Sequence, residues 1–289
     1  FITDVYSRDV KGKLANLTLP YWTGFSGILT NNGTLRNKGF ELEVNADVIR
    51  KEEITWNIGA SFSTNKNYAI KLPDNDFDLN RQGGTEIYNP KTGQNEYVGG
   101  LQEGQRINDY IVAYEQDYIY ADQAAVDAHA SRVDELLRNP TQRFPGDVAW
   151  VDQNGDNVIN SLDRKIIGRA TPTLIGGLTS SVSYKNFNLF IKTDFATGHM
   201  VHNHIRGKGL AQTQGNLNQP IEVLNSWSPT NTDTDLPRFI FVDAQSNIYR
   251  GGTASSRFWE KGDYLALREI TFSYSVPTKY FNDVVQKLN

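Results

Sequence analysis

The sequence predicts an all-β protein: an antiparallel transmembrane β-barrel wall with long polar loops on one side and one short loop helix. Three observations predict it. Apolar and polar residues alternate with period two over runs of about ten residues, roughly twice the usual strand of a soluble sheet. The runs are joined in turn by tight connections and by long Asn-, Asp- and Gly-rich stretches, the asymmetry of membrane barrels. Only 38% of the 289 residues are hydrophobic, yet 14 Tyr, 14 Phe and 5 Trp are present. That balance favours strands and turns over helices.

The first hairpin is the clearest element. Leu42, Val44, Ala46 and Val48 alternate with Glu41, Glu43, Asn45 and Asp47. After the charged turn Arg50-Lys51-Glu52-Glu53, Ile54, Trp56, Ile58, Ala60 and Phe62 alternate with Thr55, Asn57, Gly59, Ser61 and Ser63. One face is apolar and the other polar, which suits a lipid-facing wall around a wet lumen. The loop helix is predicted next, over Ala124 to Arg138, with Asp122 as its cap, an uneven apolar stripe through Val126, Ala130, Val133 and Leu137, and Pro140 beyond its end. A second hairpin follows: Leu174 to Tyr184 returns through Lys185-Asn186 to Phe187, Leu189, Ile191 and Phe195. A further strand runs from Tyr264 to Val276, where the apolar phase slips near Arg268-Glu269, as a β-bulge would make it. Trp56, Tyr184, Phe187 and Tyr274 lie near strand ends, where an interfacial aromatic girdle sits. Between the hairpins, 71–104 and 198–257 are polar and turn-rich.

Several function classes are excluded or disfavoured. With no cysteine there are no disulfides, zinc–thiolate centres or thiol nucleophiles. A net charge of −4 argues against nucleic acid as a partner. No run of about 18 apolar residues exists to form a transmembrane helix, but barrel strands need only ~9–11 residues with every second one apolar. Beginning at Phe1, the chain is expected to be a processed product or a stretch of a longer one. There is no Gly-x-Ser-x-Gly, phosphate loop or His-Glu-x-x-His, so no enzyme is expected. His199, His202 and His204 form a His-x-x-His-x-His run without an accompanying carboxylate motif, and they read as loop residues rather than a metal centre.

One stretch carries specific chemistry by spacing alone. Asp152-Gln-Asn-Gly-Asp-Asn-Val-Ile-Asn-Ser-Leu-Asp163 places oxygen side chains at positions 1, 3, 5, 9 and 12 of an EF-hand-type loop. Asp152, Asn154, Asp156, Asn160 and Asp163 are candidate Ca2+ ligands, joined by the backbone carbonyl of Val158. Asn157 stands where the loop needs a left-handed residue, and Ile159 is the apolar pin. Asp163 is shorter than the usual bidentate Glu. The flanks are not helices, so the ion is expected to act as a staple within a 144–170 loop unit rather than as a sensor's switch. The competing reading is an Asx-rich turn without metal.

Five ordered stretches resemble one family. Asn32-Gly-Thr-Leu-Arg-Asn-Lys-Gly-Phe-Glu-Leu-Glu43, Ile54-Thr-Trp-Asn-Ile-Gly59, the Pro145-Gly-Asp-Val to Ile167-Gly168 segment, Trp227-Ser-Pro-Thr-Asn through Leu236-Pro-Arg238, and Phe258 to Pro277 resemble the C-terminal barrel part of SusC/RagA-type TonB-dependent outer-membrane transporters of Bacteroidetes-like bacteria. The resemblance implies that residues 1–289 are part of an about 22-stranded barrel, with the plug, early strands and last strands outside them. It implies import of glycan or oligopeptide through the outer membrane, and loop aromatics such as Tyr88, Tyr97, Tyr110, Tyr114 and Trp259 as candidate contacts. The implied partners are a SusD/RagB-like surface lipoprotein, TonB, lipid and lipopolysaccharide, in a dimer of SusC–SusD pairs. The alternative is a secreted, calcium-stabilised β-sandwich that binds glycan.

Overall fold

A computed structural model describes residues 1–19, 21–107, 110–137, 139–211, 218–240 and 254–277. Three long strands come first: β1 (Ile2–Thr18), β2 (Gly27–Arg50) and β3 (Ile54–Lys71). The long connection after them carries only short elements: β4 (Thr85–Asn89), β5 (Gln94–Val98), β6 (Tyr110–Tyr114), β7 (Gln116–Ile119), α1 (Gln123–Asp127), β8 (Val133–Asp134), β9 (Val148–Trp150), β10 (Val158–Ile159) and β11 (Arg164–Arg169). The second hairpin is β12 (Leu174–Tyr184) and β13 (Phe187–Thr197). Then come β14 (Met200–His202), α2 (His204–Ala211), β15 (Trp259–Lys261) and β16 (Tyr264–Tyr274).

β1, β2, β3, β12, β13 and β16 form one antiparallel sheet in that order. The predicted strands are therefore neighbours in a single wall, with β2 and β3 longer than the alternation alone suggested. Its short connections, at 51–53 and 185–186, lie at one end. The long connections leave from the other end. Lys185 takes a left-handed backbone (φ 53°) to close the tighter turn. The expected bulge is real: Lys192 pairs with Glu269 and Thr193 with Leu267, leaving Arg268 extra.

Register puts the predicted apolar set on one face. Val44, Ala60, Leu178 and Thr193 lie in one row across the sheet, and Ala46, Ile58, Ser180, Ile191 and Ile270 in the next. Among the described residues none forms a layer over this face; Leu178 is 44% exposed and Phe272 67%. Near the turns, Phe187 stacks on Phe272 at 5.7 Å and meets Tyr274 at 4.7 Å. Trp56 donates its indole N–H to Ser180 Oγ at 3.0 Å, which satisfies a polar atom on an otherwise apolar surface. The opposite face is polar, with Asn57 donating to Asp47 at 3.1 Å and Asn188 to Ser183 at 2.7 Å.

Among the described residues no helix is long and apolar enough to cross a membrane. The predicted helix is also corrected. Asp122 does cap it, accepting from the Ala125 N–H at 2.9 Å, but α1 stops at Asp127. Val133 and Asp134 instead form a parallel bridge to Val158 and Ile159, so a distant segment supplies hydrogen bonds that the helix would have made locally. Arg138, its expected end, lies outside the described residues.

Candidate functional site

The long-loop end of the wall carries the only well-packed core among the described residues. Apart from Ala69 and Ala196, every buried apolar side chain lies in the connections. Tyr114, Ile119, Val148, Trp150 and Ile159 form the largest cluster. Motifs far apart in sequence converge beside it. Gly146 is left-handed (φ 87°), and a Cβ there would stand 2.5 Å from the Trp227 ring and 2.7 Å from Arg238 Cβ, so only glycine lets the chain pass beneath them. The Arg238 N–H reaches back to the Gly146 carbonyl at 2.7 Å. Its guanidinium Nε donates to Asp147 at 2.6 Å. Trp227 donates its indole N–H to the Ala121 carbonyl at 3.1 Å. Burial pushes the Asp147 carboxyl up, and Arg238 opposes that rise.

The twelve-residue loop closes on itself through backbone N–H bonds to its own Asx side chains. Asp152 accepts the N–H groups of Gly155 and Asn157, each at 2.8 Å. Asn154 accepts from Asp156 at 3.1 Å, Asp156 from Val158 at 2.7 Å, and Asn160 from Leu162 at 2.9 Å. Asp163, fully buried, accepts from Gln153 at 2.9 Å and Asn160 at 2.7 Å. Asn157 is left-handed (φ 63°) and Ile159 is buried in the main cluster. The carbonyls of Asn157 and Ile159 accept from Val133 and Glu135. Backbone alternation turns the Val158 carbonyl between them the other way. Burial raises the Asp163 carboxyl, its two N–H donors lower it, and the charges of Asp152 and Asp156 raise it again.

As the side chains stand, no group of three or more His, Cys, Asp or Glu among the described residues forms a metal cluster. The donor set still suits a hard cation. It is all oxygen, and each bonded carboxylate oxygen keeps a lone pair. The histidine run is divided between elements. His202 ends β14, its ring 4.9 Å from Trp259, and His204 begins α2.

The candidate aromatics differ among themselves. Tyr114 is buried against Trp150 in an edge contact at 6.1 Å. Tyr110 receives Arg169 on both its ring (4.3 Å) and its hydroxyl (2.8 Å). Trp259 packs on His202. Tyr88 is half-buried on β4. Tyr97, on the β4–β5 hairpin, is exposed and carries the Arg81 guanidinium 3.5 Å above its ring. That stacked pair was not legible in the sequence, because Arg81 and Tyr97 are separated by a turn and a strand.

The chain is 30% identical to TonB-dependent receptor P3 of Formosa agariphila over 277 residues, 96% of this chain and 25% of that protein. It is 25% identical to TonB-dependent receptor SusC of Bacteroides thetaiotaomicron over 275 residues, 94% of this chain and 24% of that one. The chain is thus similar in sequence to TonB-dependent receptors, SusC among them. No family model matches it. Its fold matches the RagAB peptide transporter with a TM-score of 0.63 at 20% identity, over 98% of this chain and 28% of that one. The RagAB peptide importer in its 'open-open' state gives 0.64 at 20% identity, over 99% and 27%. The chain spans about a quarter of the length of the curated relatives it matches. Its six-stranded sheet is a stretch of transmembrane barrel wall in the outer membrane.

Proposed function

We propose that this chain is part of the channel wall and extracellular loop layer of an outer-membrane importer. In this reading it is the SusC-like channel of a SusCD-type complex and takes up glycan or oligopeptide by TonB-energised transport. The observation that carries it is the single sheet with one uncovered apolar face and one polar face, topped by loops with their own core. A soluble sandwich would cover the apolar face with a second sheet, so the secreted-lectin reading is not favoured. Relatives and structural neighbours bearing receptor, importer and transporter names support the reading. A SusD/RagB-like lipoprotein would sit over the loop layer, in a dimer of such pairs, with TonB on the periplasmic side and lipid and lipopolysaccharide around the wall. The exposed Arg81–Tyr97 stack is a candidate contact for a sugar ring or peptide. Affinity purification of the native protein tests this directly. A surface lipoprotein should co-elute, and bound oligopeptide or glycan should be found by mass spectrometry. A protein that stays monomeric in buffer without detergent would overturn it.

We also propose that the 152–163 loop takes a structural Ca2+ through Asp152, Asn154, Asp156, the Val158 carbonyl, Asn160 and Asp163. The ion would offset the mutual repulsion of three aspartates and hold a loop that already has the needed left-handed residue. Adding calcium should raise the thermal midpoint of the loop layer, and a chelator should lower it. Identical curves in both conditions would remove the ion from this account.

A further inference from the structure

We propose that the outward face of β1–β3, just beyond the apolar belt, binds a phosphate-bearing headgroup of the outer leaflet, that of lipopolysaccharide. The inference rests on the barrel-wall reading and deepens it by assigning residues. Lys38 and Lys66 are direct register partners on β2 and β3. They share a parity with Phe40, Leu42 and Phe62, so both point away from the lumen. Directly opposed like charges destabilise a strand pair. Neither lysine takes part in an ion pair among the described residues. Both are exposed.

Their neighbours sharpen the point. Arg36, the next outward residue on β2, is held by Asp9 through two bonds of 2.6 and 2.8 Å and brings no net charge. Lys11 joins the same face through its pairing with Thr34, and it too makes no ion pair among the described residues. Among the described residues, three lysines on one patch therefore have no carboxylate partner of their own. Lys38 also lies 5.6 Å over the Tyr68 ring, an aromatic at the edge of the belt. At the short-turn end the pattern is reversed: Arg50 lies 3.7 Å from Asp47, and Lys185 lies 3.6 Å from Glu53.

The height of the patch selects the occupant. Trp56, Ile58, Ala60, Phe62, Thr64 and Lys66 form one outward column on β3. Ten residues from Trp56 to Lys66, at about 3.3 Å each and a tilt of about 40°, span about 25 Å along the membrane normal. That is the height of a barrel's apolar band. The lysines thus emerge at the headgroup level of the leaflet on the long-loop side, where an anionic glycolipid phosphate would bridge them. Such a phosphate would convert a repulsive cross-strand pair into a clamp.

The test is native mass spectrometry of the detergent-purified protein with added diphosphoryl lipid A, and with inorganic phosphate as the competing probe. Wild-type protein should retain lipid A. The Lys11→Gln/Lys38→Gln/Lys66→Gln variant should lose at least about tenfold of that retention, since each cation near such a surface is worth about fivefold. Replacing the same three residues by Arg should preserve it, and Lys185→Gln should leave it unchanged. If the triple variant fails to fold, Lys66→Gln alone should lose about fivefold. Undiminished retention in a folded variant overturns the proposal. So does displacement of lipid A by inorganic phosphate at equal concentration, which would make this a free-phosphate site. Solubility without detergent would instead bring down the wall reading, so the two failures are told apart.

Discussion

The wall and the loop layer are built from the same chain by opposite rules. In the wall, apolar side chains stay on the surface: Ile270 is 60% exposed and Leu265 71%. In the loop layer they are buried, as in Trp150 and Ile159, and the buried Asp134, Asp163 and Ser255 accept backbone N–H groups. The wall's backbone finds its hydrogen bonds in long antiparallel ladders, one of the two ways a chain satisfies its backbone in lipid. The loop layer uses two- to six-residue pairings, Asx turns and one-residue bridges. The difference teaches that hydrophobicity here follows the local solvent. Where lipid is the solvent, a low-complexity two-faced strand suffices. Where water is, the chain must assemble a core from distant pieces.

That contrast can be broken at defined places. The largest effect is expected at the middle of the belt: Leu178→Arg should destabilise the wall by about 3 kcal/mol, while Ser181→Arg on the lumenal face should cost well under 1 kcal/mol. Urea titration in detergent or bilayer measures both, and equal costs would mean that the faces are misassigned. In the loop layer, Gly146→Val should cost about 2–3 kcal/mol, from a left-handed backbone and from overlap with Trp227 and Arg238. Limited proteolysis should show loosened loops while the wall stays resistant. Asp163→Ala strands the buried N–H groups of Gln153 and Asn160, at about 2 kcal/mol, read in the same assay. Trp227→Phe removes the bond to the Ala121 carbonyl and part of the ring packed on the main cluster, and should cost about 1–2 kcal/mol.

The smallest expected effect is a pH dependence. Burial raises Asp147 in the folded loop, so the folded state holds that proton more tightly than the unfolded chain. Its contribution therefore favours folding below the unfolded carboxylate range and is lost as pH rises through the folded value. Asp147→Asn should flatten that slope in the loop layer's protease resistance and leave the wall's response unaltered. An unchanged slope would show that Asp147 does not titrate as its burial implies.

Much of the wall was legible because its information is local. Period-two alternation in Leu42 to Phe62 and in Leu174 to Phe195 states which face is which, and a phase slip at Arg268 announces its own bulge. The twelve-residue loop was legible for the same reason: its donors lie within one short window, and Asn157 and Ile159 adopt the roles that their positions imply. The loop core was not. Nothing near Val133 says that it will pair with Val158 rather than continue a helix. Nothing near Tyr114 says that it will be buried while Tyr97 stays open. Gly146, Trp227 and Arg238 stand out in sequence only as separate fragments.

Sequence by itself thus determined the strand faces, the short-turn and long-loop asymmetry, the ion-loop spacing and the family resemblance, because each is encoded within about a dozen neighbouring residues. Tertiary structure alone decided that Lys38 and Lys66 stand opposed, that Gly146 passes beneath Trp227, and that α1 ends at Asp127. Those outcomes depend on register and on packing between segments tens of residues apart. There the free energy of a contact is set by whichever distant partner arrives, not by the local pattern.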